Sequence, residues 1–141
     1  MSSEVAVVYV LTALGVVVVA LTRLRLRSDR GAGRTRVGRR LLDLHTGAGV
    51  AALVTWTVFL LAPADSALGG DTAGIVGLAF WWLLVVAGIG ILVRWLPSKG
   101  RHASEGAEDS WSGGPGLSLL AHLGTLAGVC VFTWAYLTSV V

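Results

Sequence analysis

Four apolar stretches, each about as long as a bilayer is thick, leave this chain few folds. Residues 5–24 carry no charge before Arg23, and residues 41–62 carry one, Asp43, near their start. Residues 74–96 carry one, Arg94, near their end, and residues 116–141 carry none. About 20 apolar residues in a helix cross about 30 Å of hydrocarbon. Lipid offers no partner to a free backbone N–H or C=O, so such segments are expected as helices despite their many valines. Only 13% of the 141 residues are charged, against roughly 25% in soluble domains. That excludes a water-soluble enzyme with a polar surface. The expected fold is an all-α, single transmembrane domain over residues 1–141: a four-helix bundle, multi-pass in the plasma membrane, in contact with lipid and with little outside it.

All 11 basic side chains lie in two places. Arg23, Arg25, Arg27, Arg30, Arg34, Arg36, Arg39 and Arg40 join the first and second stretches; Arg94, Lys99 and Arg101 join the third and fourth. The opposite side has only Glu4, Asp65 and Asp71. The positive-inside rule then puts both basic loops in the cytoplasm and both termini outside. The net charge of +3 serves topology and anionic headgroups rather than nucleic acid. Positive charge follows the first apolar stretch instead of preceding it, so that stretch reads as a span and not as a cleavable signal. The loops are short, rich in Gly, Ser and Arg, and too poor in apolar residues to hide a catalytic domain. The single cysteine, Cys130, excludes an internal disulfide and a Cys-x-x-Cys pair.

Two ionisable residues fall inside the spans. His45 lies five residues after Arg40, and His122 six after Gly116. At 1.5 Å per residue both sit about 7–9 Å inside the basic end. The second and fourth helices run in the same direction, so the imidazoles reach one depth. An ionisable group at membrane depth marks a functional site by default. Two imidazoles across a bundle suit the axial positions of a haem iron, and the residues around them suit its bulk. Gly49 and Ala52 follow His45 on its own helical face. Gly47 and Gly124 each stand two residues after a histidine, and Gly124 and Gly128 form Gly-x-x-x-Gly. Arg94, Arg39 and Arg40 lie at the same end as guanidinium partners for propionates. The expected site is one b-type haem ligated by His45 and His122, with Arg94, Arg40, Gly49 and Gly124 around it.

Simpler readings stand beside this one. A membrane histidine can merely hydrogen-bond a carbonyl and link helices. Glycine pairs in membrane helices usually serve packing. Arg94 can be a snorkelling anchor, and Asp43 suits Arg39 or Arg40 one turn earlier better than acid catalysis. His102 lies in a polar loop. A zinc site would need ligands beyond the two histidines. On these readings the chain is a non-haem small subunit of a larger membrane complex, a homo-oligomer or a transport component, with the histidines as a proton-sensitive link.

Aromatic residues make a second pattern. Trp95 and Trp111 flank the basic interface as belt residues. Trp56, Trp81, Trp82 and Trp134, with Phe59, Phe80, Tyr136 and Tyr9, form an expected layer in the outer half. That layer reads as packing or as the wall of a pocket for a flat apolar molecule such as a quinone. The spacing from Leu41-Leu42 to Thr55-Trp56 equals that from Leu119-Leu120 to Thr133-Trp134, which supports a parallel pairing of the second and fourth helices.

With four short helices, His45 and His122 inside them and glycines nearby, the chain resembles the bacterial four-helix b-type cytochromes, a family that includes superoxide oxidase. The resemblance covers the architecture and, residue by residue, only the two histidines. It implies haem b and one-electron oxidoreductase chemistry, with a membrane quinone or a cytoplasmic reductase as partner. The family usually carries two haems and further histidines near the opposite face. This sequence has none there, and one haem is the expectation.

Overall fold

A computed structural model describes residues 2–28, 39–95 and 116–141, with side chains over 2–20, 40–93 and 119–141. These residues form four helices: α1 (Ser3–Ser28), α2 (Arg39–Leu61), α3 (Asp71–Trp95) and α4 (Gly116–Leu137). Each contains a stretch long and apolar enough to cross a membrane. Along the middle of these stretches large apolar side chains are exposed, among them Val10, Val54, Val86 and Leu123. Thr55, Thr125 and Thr133 each donate a hydroxyl to the carbonyl four residues earlier, at 2.7–2.8 Å. Such bonds satisfy a hydroxyl where water is scarce.

The helix ends differ from the sequence expectation for local reasons. α1 continues through Arg23, Arg25 and Arg27, since charge ends a membrane span but not a helix. Its start is capped by Ser2, whose Oγ accepts from the Val5 N–H at 3.3 Å. α3 begins three residues early at Asp71, where an acidic side chain suits the first turn. α4 stops at Leu137, four residues short of 141. Ser139 adopts φ 54°, Ser139 N–H donates to Tyr136 O at 3.1 Å, and Val140 N–H donates to Ala135 O at 2.8 Å. That is the paired 5→2 and 6→1 bonding of a Schellman cap, with serine in the position glycine usually takes. Between α2 and α3, Ser66 ties the turn to Pro63 O and to the Gly69 N–H. Gly69 lies so close to the Pro63 carbonyl that any side chain would collide with it.

The four helices pack in a ring, each against its two sequence neighbours and α4 against α1. α2 and α3 make the most extensive pair, and α1 is the least buried helix. Antiparallel register shows in the contacts: Gly77 lies against Trp56, Gly49 against Leu84, and Gly88 against His45. α2 and α4 therefore run parallel on opposite corners, and they meet through side chains that cross the interior, Trp56 on Phe132 and Phe59 on Tyr136.

The core is aromatic at its centre. Trp56 is fully buried, with Phe59 and Phe132 at ring-centre distances of 5.2 and 5.1 Å. Trp81 adds a contact to Phe132 at 5.3 Å, and Tyr136 lies edge-on to Phe59 at 6.0 Å. The expected aromatic layer thus divides. Trp56 and Trp81 fill the interior, whereas Trp82 and Trp134 face outward. Phe132, absent from that expectation, is the residue around which the two buried indoles gather.

Candidate functional site

The ring arrangement brings His45 and His122 together across the bundle. Both are half-buried, and their ring centres stand 6.1 Å apart with planes only 16° from parallel. They meet beside Gly88 of α3. A Cβ built there would lie 3.0 Å from His45 Cε1, 3.0 Å from His122 Cδ2 and 3.4 Å from His122 Nε2. Each ring therefore turns a vertex or edge next to its Nε2 toward the same point. Helix α3 adjoins the two imidazoles with a residue that has no side chain.

The separation decides what the pair can do. Ring atoms lie about 1.1 Å from an imidazole centre, so centres 6.1 Å apart keep the nearest nitrogens at least about 3.9 Å apart, beyond hydrogen-bond reach. A direct imidazole–imidazole hydrogen bond is ruled out. One metal between two imidazoles, at about 2 Å from each nitrogen, holds them about 4 Å apart, which is the closest approach this geometry allows.

His45 is oriented by a second contact. Its Nδ1 lies 3.2 Å from Leu84 O. With Nδ1–H donating to that carbonyl, the ring proton is on Nδ1 and Nε2 is left as the acceptor nitrogen. A ligand histidine is held in this way when a backbone carbonyl takes its other ring proton. Leu84 lies one turn before Gly88 on α3, so one helical face supplies both the orienting acceptor and the space.

The other expected residues fall variously. Gly49 and Ala48 are buried. A Cβ at Gly49 would meet Leu84 Cδ1 at 3.3 Å, so Gly49 sets the α2–α3 approach beside the site. Gly124 lies on the exposed face of α4 with nothing within 4 Å of a Cβ there, as does Gly47 on α2. Neither joins the pair. Ala52 belongs to the central core. Arg40 is exposed in the first turn of α2. Arg94 falls in the last turn of α3, with its side chain outside the described residues, as are the side chains of Arg39 and Trp95 and all of His102 and Trp111. Among the described residues no group of three or more His, Cys, Asp or Glu gathers around a common point.

Gly88 and Leu84 were not singled out in the sequence, although a signal existed. Gly88 lies six residues before Arg94, so depth counted from the basic end places it level with both histidines. A concavity of about 380 Å³ lies at the far end between Phe59, Asp71, Tyr136 and Ser139. Tyr136 OH donates there to Asp71 O at 3.0 Å. No family model, no curated protein and no solved structure matches the chain.

Proposed function

We propose that this chain is a plasma-membrane protein that holds one b-type haem between His45 and His122, near the cytoplasmic end, for one-electron transfer. The observation that carries the reading is the spacing of the pair. Two near-parallel imidazoles from helices on opposite corners, too far apart to bond each other, come together beside one glycine and would be the residues to hold such a group. A haem iron taken by both would supply a one-electron couple with no open coordination position for small ligands.

The residues fit such a group in kind. His45 keeps its Nε2 free by donating Nδ1–H to Leu84. Gly88 keeps a side chain away from both rings. The backbone at Gly88 stands close to both rings, so room for the group would have to be made on the α4 side of α3, its more lightly packed side. Arg94 and Arg40, at the same end of the bundle, are the candidates to pair with propionates. The arginine asymmetry supports cytoplasmic basic loops and outward termini. The implied electron partner is a membrane quinone or a cytoplasmic reductase.

One observation favours a second reading. The His45–Leu84 bond alone ties α2 to α3, as a purely structural histidine would. In that case the chain is a small non-haem subunit of a larger membrane complex or a transporter. Colour separates the two. Protein purified from haem-replete cells, or mixed with hemin, should show a Soret band and a reducible six-coordinate spectrum. Colourless protein that takes up no hemin rejects the haem reading.

A further inference from the structure

Trp56 and Trp81 are each more than nine-tenths buried, and the Nε1–H of neither has a partner among the described residues. An indole nitrogen can only donate. Leaving such a donor unpaired in the interior forfeits its solvation with nothing in return. The chain does pair an indole where an acceptor lies at hand: the exposed Trp82 donates to Thr133 Oγ1 at 3.1 Å. Two unmet donors flank one phenyl ring, that of Phe132, at 5.1 and 5.3 Å.

There is room near the level of Trp81. Gly128 is buried, yet a Cβ built there would meet nothing within 4 Å. Counting from the histidine pair, Gly128 lies six residues along α4 and Trp81 seven along α3, about 9 and 10 Å. Open interior space and an unmet donor thus share one level. α1 faces this level with Thr12, the one buried polar residue of the described core other than the indoles. Thr12 donates its hydroxyl proton to Val8 O at 2.8 Å, which leaves its oxygen lone pairs as acceptors. One turn on, a Cβ at Gly15 would touch Trp81 Cη2 at 3.2 Å, so this face of α1 lies against the indole.

We propose that the interior at Trp56, Trp81 and Gly128 binds a small neutral guest through a hydrogen-bond-accepting oxygen. The guest is an acceptor because the unmet groups are donors. It is neutral because the described core holds no charge to offset an ion. That oxygen has two sources, an internal water or the carbonyl of a membrane quinone. A water accepting from the indoles and donating to Thr12 would make the three bonds usual for a buried water. The site is separate from the histidine pair and stands whether or not haem binds there.

The test is nuclear magnetic resonance of the full chain, labelled with ¹⁵N at its indoles, in quinone-free nanodiscs, before and after adding a short-chain benzoquinone. Trp56→Phe and Trp81→Phe assign the two signals; if either fails to fold, variants of the other four tryptophans assign them by elimination. Hydrogen-bonded indole protons with cross-relaxation to water, unmoved by the quinone, assign water. Signals that shift and lose water contact on quinone addition assign the carbonyl. In either case Gly128→Leu should fill the space and abolish the signature while leaving the Trp134 signal in place. Indole protons of Trp56 and Trp81 that resonate as unbonded, without water contact and without response to quinone, overturn the proposal.

Discussion

His45 and His122 face each other at 6.1 Å from two helices on opposite corners of the bundle, and the residue that permits this is on a third. Gly88 leaves no space for a methyl group, which would press on both rings at 3.0 Å. Gly88→Ala should therefore push the imidazoles apart and cost about 1–3 kcal/mol as overpacking. Gly124→Ala and Gly47→Ala meet nothing and should be neutral or gain up to about 1 kcal/mol of helix propensity. Unfolding in mixed detergent micelles ranks the three. Equal effects would mean that the close approach at Gly88 does not constrain the pair.

The haem reading makes the histidines interdependent. His45→Ala and His122→Ala should each turn a six-coordinate spectrum five-coordinate or lose the haem, and carbon monoxide should then bind where the parent resists it. The double variant should add little to either single one, since both groups act on one iron. His102→Ala is the control and should change nothing. A low-spin six-coordinate haem in the double variant would falsify the assignment.

Much of this arrangement was legible in the sequence because long, uniformly apolar stretches leave few choices. Four helices follow from length and apolarity alone, and the level of His45 and His122 follows from rise per residue and parallel direction. What escaped was the angular position of residues around each helix. In a water-soluble bundle an apolar face marks the inside. Here every face is apolar, so Trp134 and Phe132 look equally suited to the core, and Gly124 looks as close to His122 as Gly88 does. The hydrogen bond to Leu84 O was hidden for a different reason, since a backbone carbonyl carries no sequence signal.

Arg94 is the one charge within the apolar part of α3. If it pairs with a propionate, Arg94→Ala should lower haem occupancy or shift the midpoint potential, with the axial-ligand spectrum intact. Unchanged occupancy and potential would make it an interfacial anchor.

The topology rests on where the arginines lie. In a Cys130→Ala background, a cysteine replacing Arg30 should resist a membrane-impermeant maleimide on intact cells, and one replacing Asp65 should react. The reverse pattern would move the histidine pair to the outer side of the membrane and remove the case for a cytoplasmic reductase.

The aromatic core gives the sharpest test of the packing itself. Phe132 is 2% exposed and touches both Trp56 and Trp81, whereas Trp134, two residues on, is 50% exposed. Truncating a buried aromatic residue in a soluble core costs about 3–5 kcal/mol. Within a bilayer the transfer part of that cost shrinks, because lipid tails are as apolar as the core, but the void and its lost contacts remain. Phe132→Ala should then cost about 2–3 kcal/mol, while Trp134→Ala, facing outward, should stay within about 0.5 kcal/mol. Phe132→Leu should recover part of the loss by filling some of the void. Both aromatic variants can be compared by reversible unfolding in mixed micelles, with Trp82→Phe as a second outward control. If Trp134→Ala proved the costlier, α4 would be turned from the orientation described, and the approach of His122 to Gly88 would go with it.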